Sequence, residues 1–164
     1  MTGIQTWRFI TLMLASLSLS PSMAHLLEMP QRLKFDQQLW VQVTVFGNVY
    51  RLFGSVGAVF EVGAILAAIV LTTLVRKHRS GFYWTLAGTL LLVLALVSWI
   101  LFVAPMNAEF AQWLTNPVPV NWTRYRDQWE YAHATNAVIK LLALSLLVLS
   151  VLIEVPRKKT IDYS

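Results

Sequence analysis

Apolar positions along the chain gather into four long runs, Trp7–Leu27, Phe53–Val75, Phe82–Val103 and Ala132–Val155, with polar residues between them. Each run is close to the ~20 residues that cross a hydrocarbon core ~30 Å thick. Val62–Val75 and Leu90–Val103 read as sustained apolar stretches rather than the short alternating segments of a β-barrel. The pattern predicts an all-α membrane protein: an antiparallel four-transmembrane-helix bundle forming one integral membrane domain over residues 1–164, with outer loops at 28–52 and 104–131.

The ends of these runs refine the picture. Arg8, the apolar Phe9–Leu19 and then Ser20-Pro21-Ser22-Met23-Ala24 resemble a secretory signal with a small-residue cleavage site. The apolar run continues into His25-Leu26-Leu27, however, and Met23 is not the small residue such a site prefers, so a retained span with a kink at Pro21 is expected. In the first outer segment Phe35, Trp40, Val43, Phe46 and Tyr50 recur at helical spacing after Asp36. They predict an amphipathic helix leading into the second span, with Gly47 and Gly54 permitting a bend. Alternation through Val41, Val43 and Val45 keeps a short strand over Leu39–Phe46 as the alternative. Gly54, Gly57, Ala58, Gly63, Ala64, Gly81 and Gly88 mark faces for close helix packing.

Composition leaves no room for a separate soluble domain: 57% of the 164 residues are hydrophobic and 13% charged. The absence of cysteine excludes disulfides, thiol redox chemistry and cysteine-ligated clusters. A net charge of +5 would suit an anionic partner, but its distribution explains it better. Arg8, then Arg76, Lys77 and Arg79, then Arg157, Lys158 and Lys159 all fall on one side of a four-span chain, which predicts cytoplasmic termini. Nucleic acid is therefore not an expected partner. The lipid bilayer is, with anionic headgroups in a secondary role. His78 reads as a solvated loop residue, and Asn121-Trp122-Thr123 as a weak glycosylation match. Trp7 and Trp84 at one interface, with Trp40, Trp99, Trp113, Trp122 and Trp129 toward the other, have the distribution of interfacial anchors.

Candidate chemistry comes from the ionisable residues inside the apolar runs. At ~1.5 Å rise per residue, Glu61 and Lys140 both lie about 10–13 Å below their entry points at Phe53 and Ala132. Opposite charges at one depth predict an intramembrane ion pair, either setting helix packing or serving catalysis or transport. Arg126, Glu130, His133 and Lys140 share one helical stripe, bordered by Trp129 and Asn136. His25 and Glu28 share a face of the first span, and Asn107 follows Pro105 at the end of the third. All of these residues converge on the outer end of the bundle. Histidine shuttles protons or binds metal, and carboxylates act as bases or ligands. His25, Glu28, Glu130 and His133 contain the residue types of a carboxylate–histidine metal site, and His25 and His133 those of paired haem ligands. Salt bridges from Glu130 to Arg126 and Arg124 are the structural alternative.

Ala24-His25-Leu26-Leu27-Glu28-Met29-Pro30, Tyr50-Arg51-Leu52-Phe53-Gly54, Pro105-Met106-Asn107 and Trp122-x-x-x-Arg126-x-x-Trp129-Glu130-x-x-His133 form an ordered series. Together they resemble the anthrone-oxygenase-like family of small four-helix membrane proteins, over nearly the whole chain. The resemblance implies oxidation of a lipophilic small molecule without a conventional cofactor. It nominates Asn107, Arg126, Trp129 and His133 as matching polar positions. His133 or Glu130 would act as base on a carbon-bound proton, and Arg126 or Lys140 would stabilise the developing negative charge. The family's fungal members are associated with oxidation of anthrones to anthraquinones. The His25–Pro30 segment and the Glu61/Lys140 pair depart from their pattern and resemble the family's bacterial members, which implies the bacterial inner (plasma) membrane. Two other function classes fit the same residues: a non-enzymatic partner or assembly factor for another membrane protein, and a proton or small-ion pathway through Glu61 and Lys140.

Overall fold

A computed structural model describes residues 3–77 and 79–154, with the backbone alone described at 48–52. His78, Arg157, Lys158, Lys159 and the side chains of Tyr50, Arg51 and Leu52 lie outside the described residues. All regular structure among the described residues is helical: α1 (Gly3–Arg32), α2 (Gln37–Val41), a π-helical turn (Gln42–Phe46), α3 (Asn48–Val75), α4 (Arg79–Ser98), a second π-helical turn (Trp99–Val103), α5 (Ala104–Gln112) and α6 (Trp122–Leu152). Four stretches are long and apolar enough to cross a membrane: Gly3–Arg32, Phe53–Val75, Arg79–Gln112 and Trp122–Leu152. The chain is therefore an integral membrane protein built as a helical bundle.

Helix boundaries run past the apolar runs because helical hydrogen bonding does not end where hydrophobicity does. Helix α1 includes Pro21 and Pro30 and continues to Arg32. Asp36 then caps α2, its Oδ1 accepting from the Leu39 amide at 2.8 Å. Leu39–Phe46 contains no strand, since it is occupied by α2 and the first π-helical turn. Gly47 breaks this helix before α3: its backbone is extended (φ −71°, ψ 131°), and a Cβ there would collide with the Val43 carbonyl. Much of the expected outer loop at 104–131 is also helical, formed by α5 and the first turns of α6. The π-helical turn Trp99–Val103 precedes Pro105, whose ring has no N–H and crowds the carbonyl four residues back; a widened turn accommodates both effects.

The long helices close a ring of contacts: α1 against α3, α3 against α4, α4 against α6, and α6 against α1. Small residues set the closest approach. A Cβ on Gly88 would stand 2.8 Å from Leu147 Cγ and 3.0 Å from the Ala143 carbonyl oxygen, so α4 and α6 meet there backbone to side chain. Gly57 and Gly63 face Pro21 and Leu14 of α1. Gly54 has no such neighbour. Thr72 and Thr89 join α3 to α4 through their hydroxyls at 2.9 Å.

The core falls into two parts. One is aliphatic, with Ala15, Ala64, Ile65, Ala68, Leu92, Ala143 and Leu147. The other is aromatic, with Trp40, Phe110, Trp113 and Trp129. Trp40, Trp113 and Trp129 are thus buried against one another and are not interfacial anchors. The segments around α2 and α5 fold over one end of the bundle as a cap, and the cap needs its own apolar interior. Trp84, by contrast, is exposed, in keeping with an anchoring position.

Candidate functional site

Between the aliphatic and aromatic cores lies a cavity of about 420 Å³. Helical spacing accounts for its walls. His133, Asn136 and Lys140 lie three and four residues apart on α6. Pro21, Ser22 and His25 come from one face of α1, and Gly54, Gly57, Ala58 and Glu61 from one face of α3. Thr44, Phe53, Trp99, Asn107, Phe110 and Trp129 complete the enclosure. Gly54, Ser55, Ala58 and Val62 of α3 and Asn107, Ala111 and Leu114, in and just beyond α5, are exposed as well as lining. The cavity therefore opens sideways between α3 and α5.

The deep end carries the ion pair expected from the sequence. Lys140 Nζ donates to Glu61 Oε2 at 2.9 Å, with both side chains buried. Glu61 Oε1 has no hydrogen-bond partner among the described residues. Beside it on α6, Asn136 is 1% exposed, and neither its Oδ1 nor its Nδ2 has a partner among the described residues. Nearer the aromatic cap, His25 and His133 stack with ring centroids 4.3 Å apart. Trp129 meets both imidazoles edge-on and donates from Nε1 to Asn107 Oδ1 at 2.8 Å. Hydrophobic walls with a few convergent polar groups are the usual make-up of a small-molecule site.

Above the cavity a second buried ion pair holds the cap. Arg32 Nε donates to Glu130 Oε1 at 2.7 Å, with side-chain exposures of 2% and 0%. Trp40 Nε1 reaches the same carboxylate oxygen at 3.0 Å, and Arg32 Nη2 donates to Thr44 Oγ1 at 2.7 Å. The Arg32 guanidinium also lies 5.4 Å from the Trp129 ring centroid and 5.8 Å from that of Trp40.

The structure thus divides the candidate set. Asn107, Trp129, His25, His133, Glu61 and Lys140 come together on the cavity. Glu130 does not line it and is held by Arg32, not by the expected Arg126 or Arg124. Arg126 also lies off the cavity: it binds Asp127 and the Leu33 carbonyl and covers Trp122. Glu28 is exposed although it shares its helix with buried His25. The stripe on α6 runs through the aromatic cap before reaching the cavity, so Arg126 and Glu130, nearer the start of α6, serve the cap. Arg32 and Thr44 were not anticipated at all. Arg32 lies seven residues after His25 on the same face of α1, and that was the available signal.

Metal and haem fit this donor set poorly. Imidazole lone pairs lie in the ring plane, so rings stacked 22° from parallel direct them side by side rather than toward one ion. Paired axial ligation needs the iron between the two rings' nitrogens, and the stacked faces leave no such gap. Among the described residues no group of three or more histidine or carboxylate side chains has metal-binding geometry. No family model, curated protein or solved structure matches the chain.

Proposed function

We propose that this membrane protein binds a lipophilic small molecule in the central cavity and oxidises it with molecular oxygen, without a conventional cofactor. The observation that carries this reading is the convergence of the His25–His133 stack, Asn136 and the Lys140–Glu61 pair on one aromatic-walled cavity. The resemblance to the anthrone-oxygenase-like family supports the oxygen chemistry, and three of the positions that it nominates, Asn107, Trp129 and His133, line the cavity.

In this reaction His133 accepts a proton from an acidic carbon of the substrate, and the C–H electron pair stays on carbon. Lys140 and Asn136 stabilise the delocalised anion. The carbanion adds to oxygen, and the proton returns to give a hydroperoxide. Loss of water then leaves a carbonyl, so the methylene carbon is oxidised, one oxygen atom stays on it as the carbonyl and the other leaves in water.

The same reading takes the bundle as antiparallel, with cytoplasmic termini and the cavity toward the outer face. An ion pair between Arg8 near the start of α1 and Glu154 just beyond α6 supports it, as does the short link from Val75 to Arg79. Arg8, Arg76, Lys77 and Arg79 would then all face the cytoplasm.

Oxygen uptake by the purified protein with an anthrone tests the activity. Turnover should be lost in His133→Ala and largely kept in Arg126→Ala, which lies off the cavity. Equal uptake by wild type and His133→Ala would sink the reading.

A further inference from the structure

We infer that the deep end of the cavity selects a phenol-type hydroxyl on its lipophilic ligand, with Asn136 as the specificity-determining residue. The inference rests on reading the cavity as a ligand site, and it adds which chemical group the site recognises.

Three atoms carry it. Asn136 Oδ1 and Nδ2 and Glu61 Oε1 are buried, belong to residues lining the cavity, and have no hydrogen-bond partner among the described residues. Lys140 gives one of its three N–H groups to the other Glu61 oxygen at 2.9 Å and has donors but no lone pair to offer a ligand. The deep end therefore offers two acceptors and one amide donor in need of partners. Leaving such groups unpaired in an apolar enclosure is costly, so the site favours a ligand that satisfies them.

Few groups do. A ketone or ether oxygen accepts from Nδ2 but gives nothing to Oδ1 or Oε1. A carboxylate would face Glu61 with like charge, and an ammonium would leave Nδ2 unpaired beside Lys140. A hydroxyl accepts from Nδ2 and donates to Oδ1 or Oε1 with a single oxygen. Phe53, Trp99, Phe110 and Trp129 line the same cavity, which suits an aromatic ring on the ligand that carries the hydroxyl. The open side between α3 and α5 lets an alkyl tail reach the lipid.

The test compares para-nonylphenol with its methyl ether, titrated without oxygen into the full-length protein in lipid nanodiscs and followed by tryptophan fluorescence. Wild type should bind the phenol at least ~10-fold more tightly than the ether, because a site built to pair a hydroxyl rejects the analogue without one. In Asn136→Leu that ratio should fall toward one. If the leucine variant does not reach the membrane, Asn136→Ala removes the same amide and the same ratio is read. Equal binding of the two compounds by wild type, no binding of either, or an unchanged ratio in the variant would overturn the inference. Since no turnover is needed, discrimination without oxygen uptake would count against the oxygenase reading alone. Oxygen uptake without discrimination would count against this inference alone.

Discussion

His25 of α1 and His133 of α6 stack across the bundle with ring centroids 4.3 Å apart and planes at 22°. Trp129 braces the pair from the side, at 5.0 Å from His25 and 4.4 Å from His133. The contact fixes the orientation of the proposed base, which gives His25 a positioning role distinct from proton transfer. His133→Ala should lower oxygen uptake by about 10²–10⁴-fold, the usual worth of a general base. His25→Phe preserves a stacked ring and should keep most of the activity, whereas His25→Ala should not. Equal loss in the two His25 variants would show that the imidazole itself takes part in the chemistry.

Glu61 and Lys140 offer a test of pairing inside the membrane. Removing one partner strands a buried charge, which typically costs about 3–5 kcal/mol. Glu61→Gln and Lys140→Met should therefore each lower the unfolding midpoint in detergent, and the double variant should recover much of the loss. Simple additivity of the two effects would show that the charges do not act as a pair. The same cycle read on ligand binding separates packing from function. Recovered stability without recovered binding assigns the pair to the site.

The Arg32–Glu130 pair should prove the more structural of the two, because it lies outside the cavity and ties α1 to α6 beneath the cap. Glu130→Gln leaves the guanidinium without its counter-charge. It should destabilise the protein by about 3–5 kcal/mol as well. Exchange of the α2 backbone amides should rise, since Trp40 then donates to a neutral amide oxygen in place of a carboxylate. Unchanged thermal stability and exchange in Glu130→Gln would remove the cap-holding role and reopen a catalytic one.

These contrasts bear on what the chain discloses before its structure is known. The spans were legible because bilayer thickness imposes a length and an apolar composition on each crossing segment. The Glu61–Lys140 pair was legible because a buried charge needs a counter-charge and helical rise places both at one depth. The aromatic cap was not. Tryptophan near a predicted interface has the same sequence signature whether it faces headgroups or a neighbouring helix, and Trp40, Trp113 and Trp129 turned inward. Glu130 misled for a related reason. Its stripe with His133 and Lys140 is real, but a continuous stripe on α6 passes first through the cap and then the cavity. Arg32 was overlooked because it sits beyond the last apolar residue of the first run, where helix α1 continues although hydrophobicity does not. Asn136 was visible only as a neighbour of the stripe. That its amide lacks a partner depends on what α1 and α3 place opposite, and this is a tertiary property.

The side opening predicts how a ligand reaches the site. Gly54, Ser55 and Ala58 form a small-residue rim on α3, facing Ala111 and Leu114 across the gap. A ligand arriving from the lipid would pass between these residues. Ala58→Trp fills the gap while burying nothing already packed, since Ala58 is exposed. Its fold should survive, and binding of a lipophilic ligand should slow markedly. Val59, one residue on, is 70% exposed and does not line the cavity. Val59→Trp adds the same bulk toward lipid and should leave binding rates unchanged. Stopped-flow fluorescence with the para-nonylphenol probe reads both variants. Equal rates in wild type and Ala58→Trp would mean that the ligand uses another path. Equal slowing in both variants would mean that bulk on α3, rather than the opening, controls access.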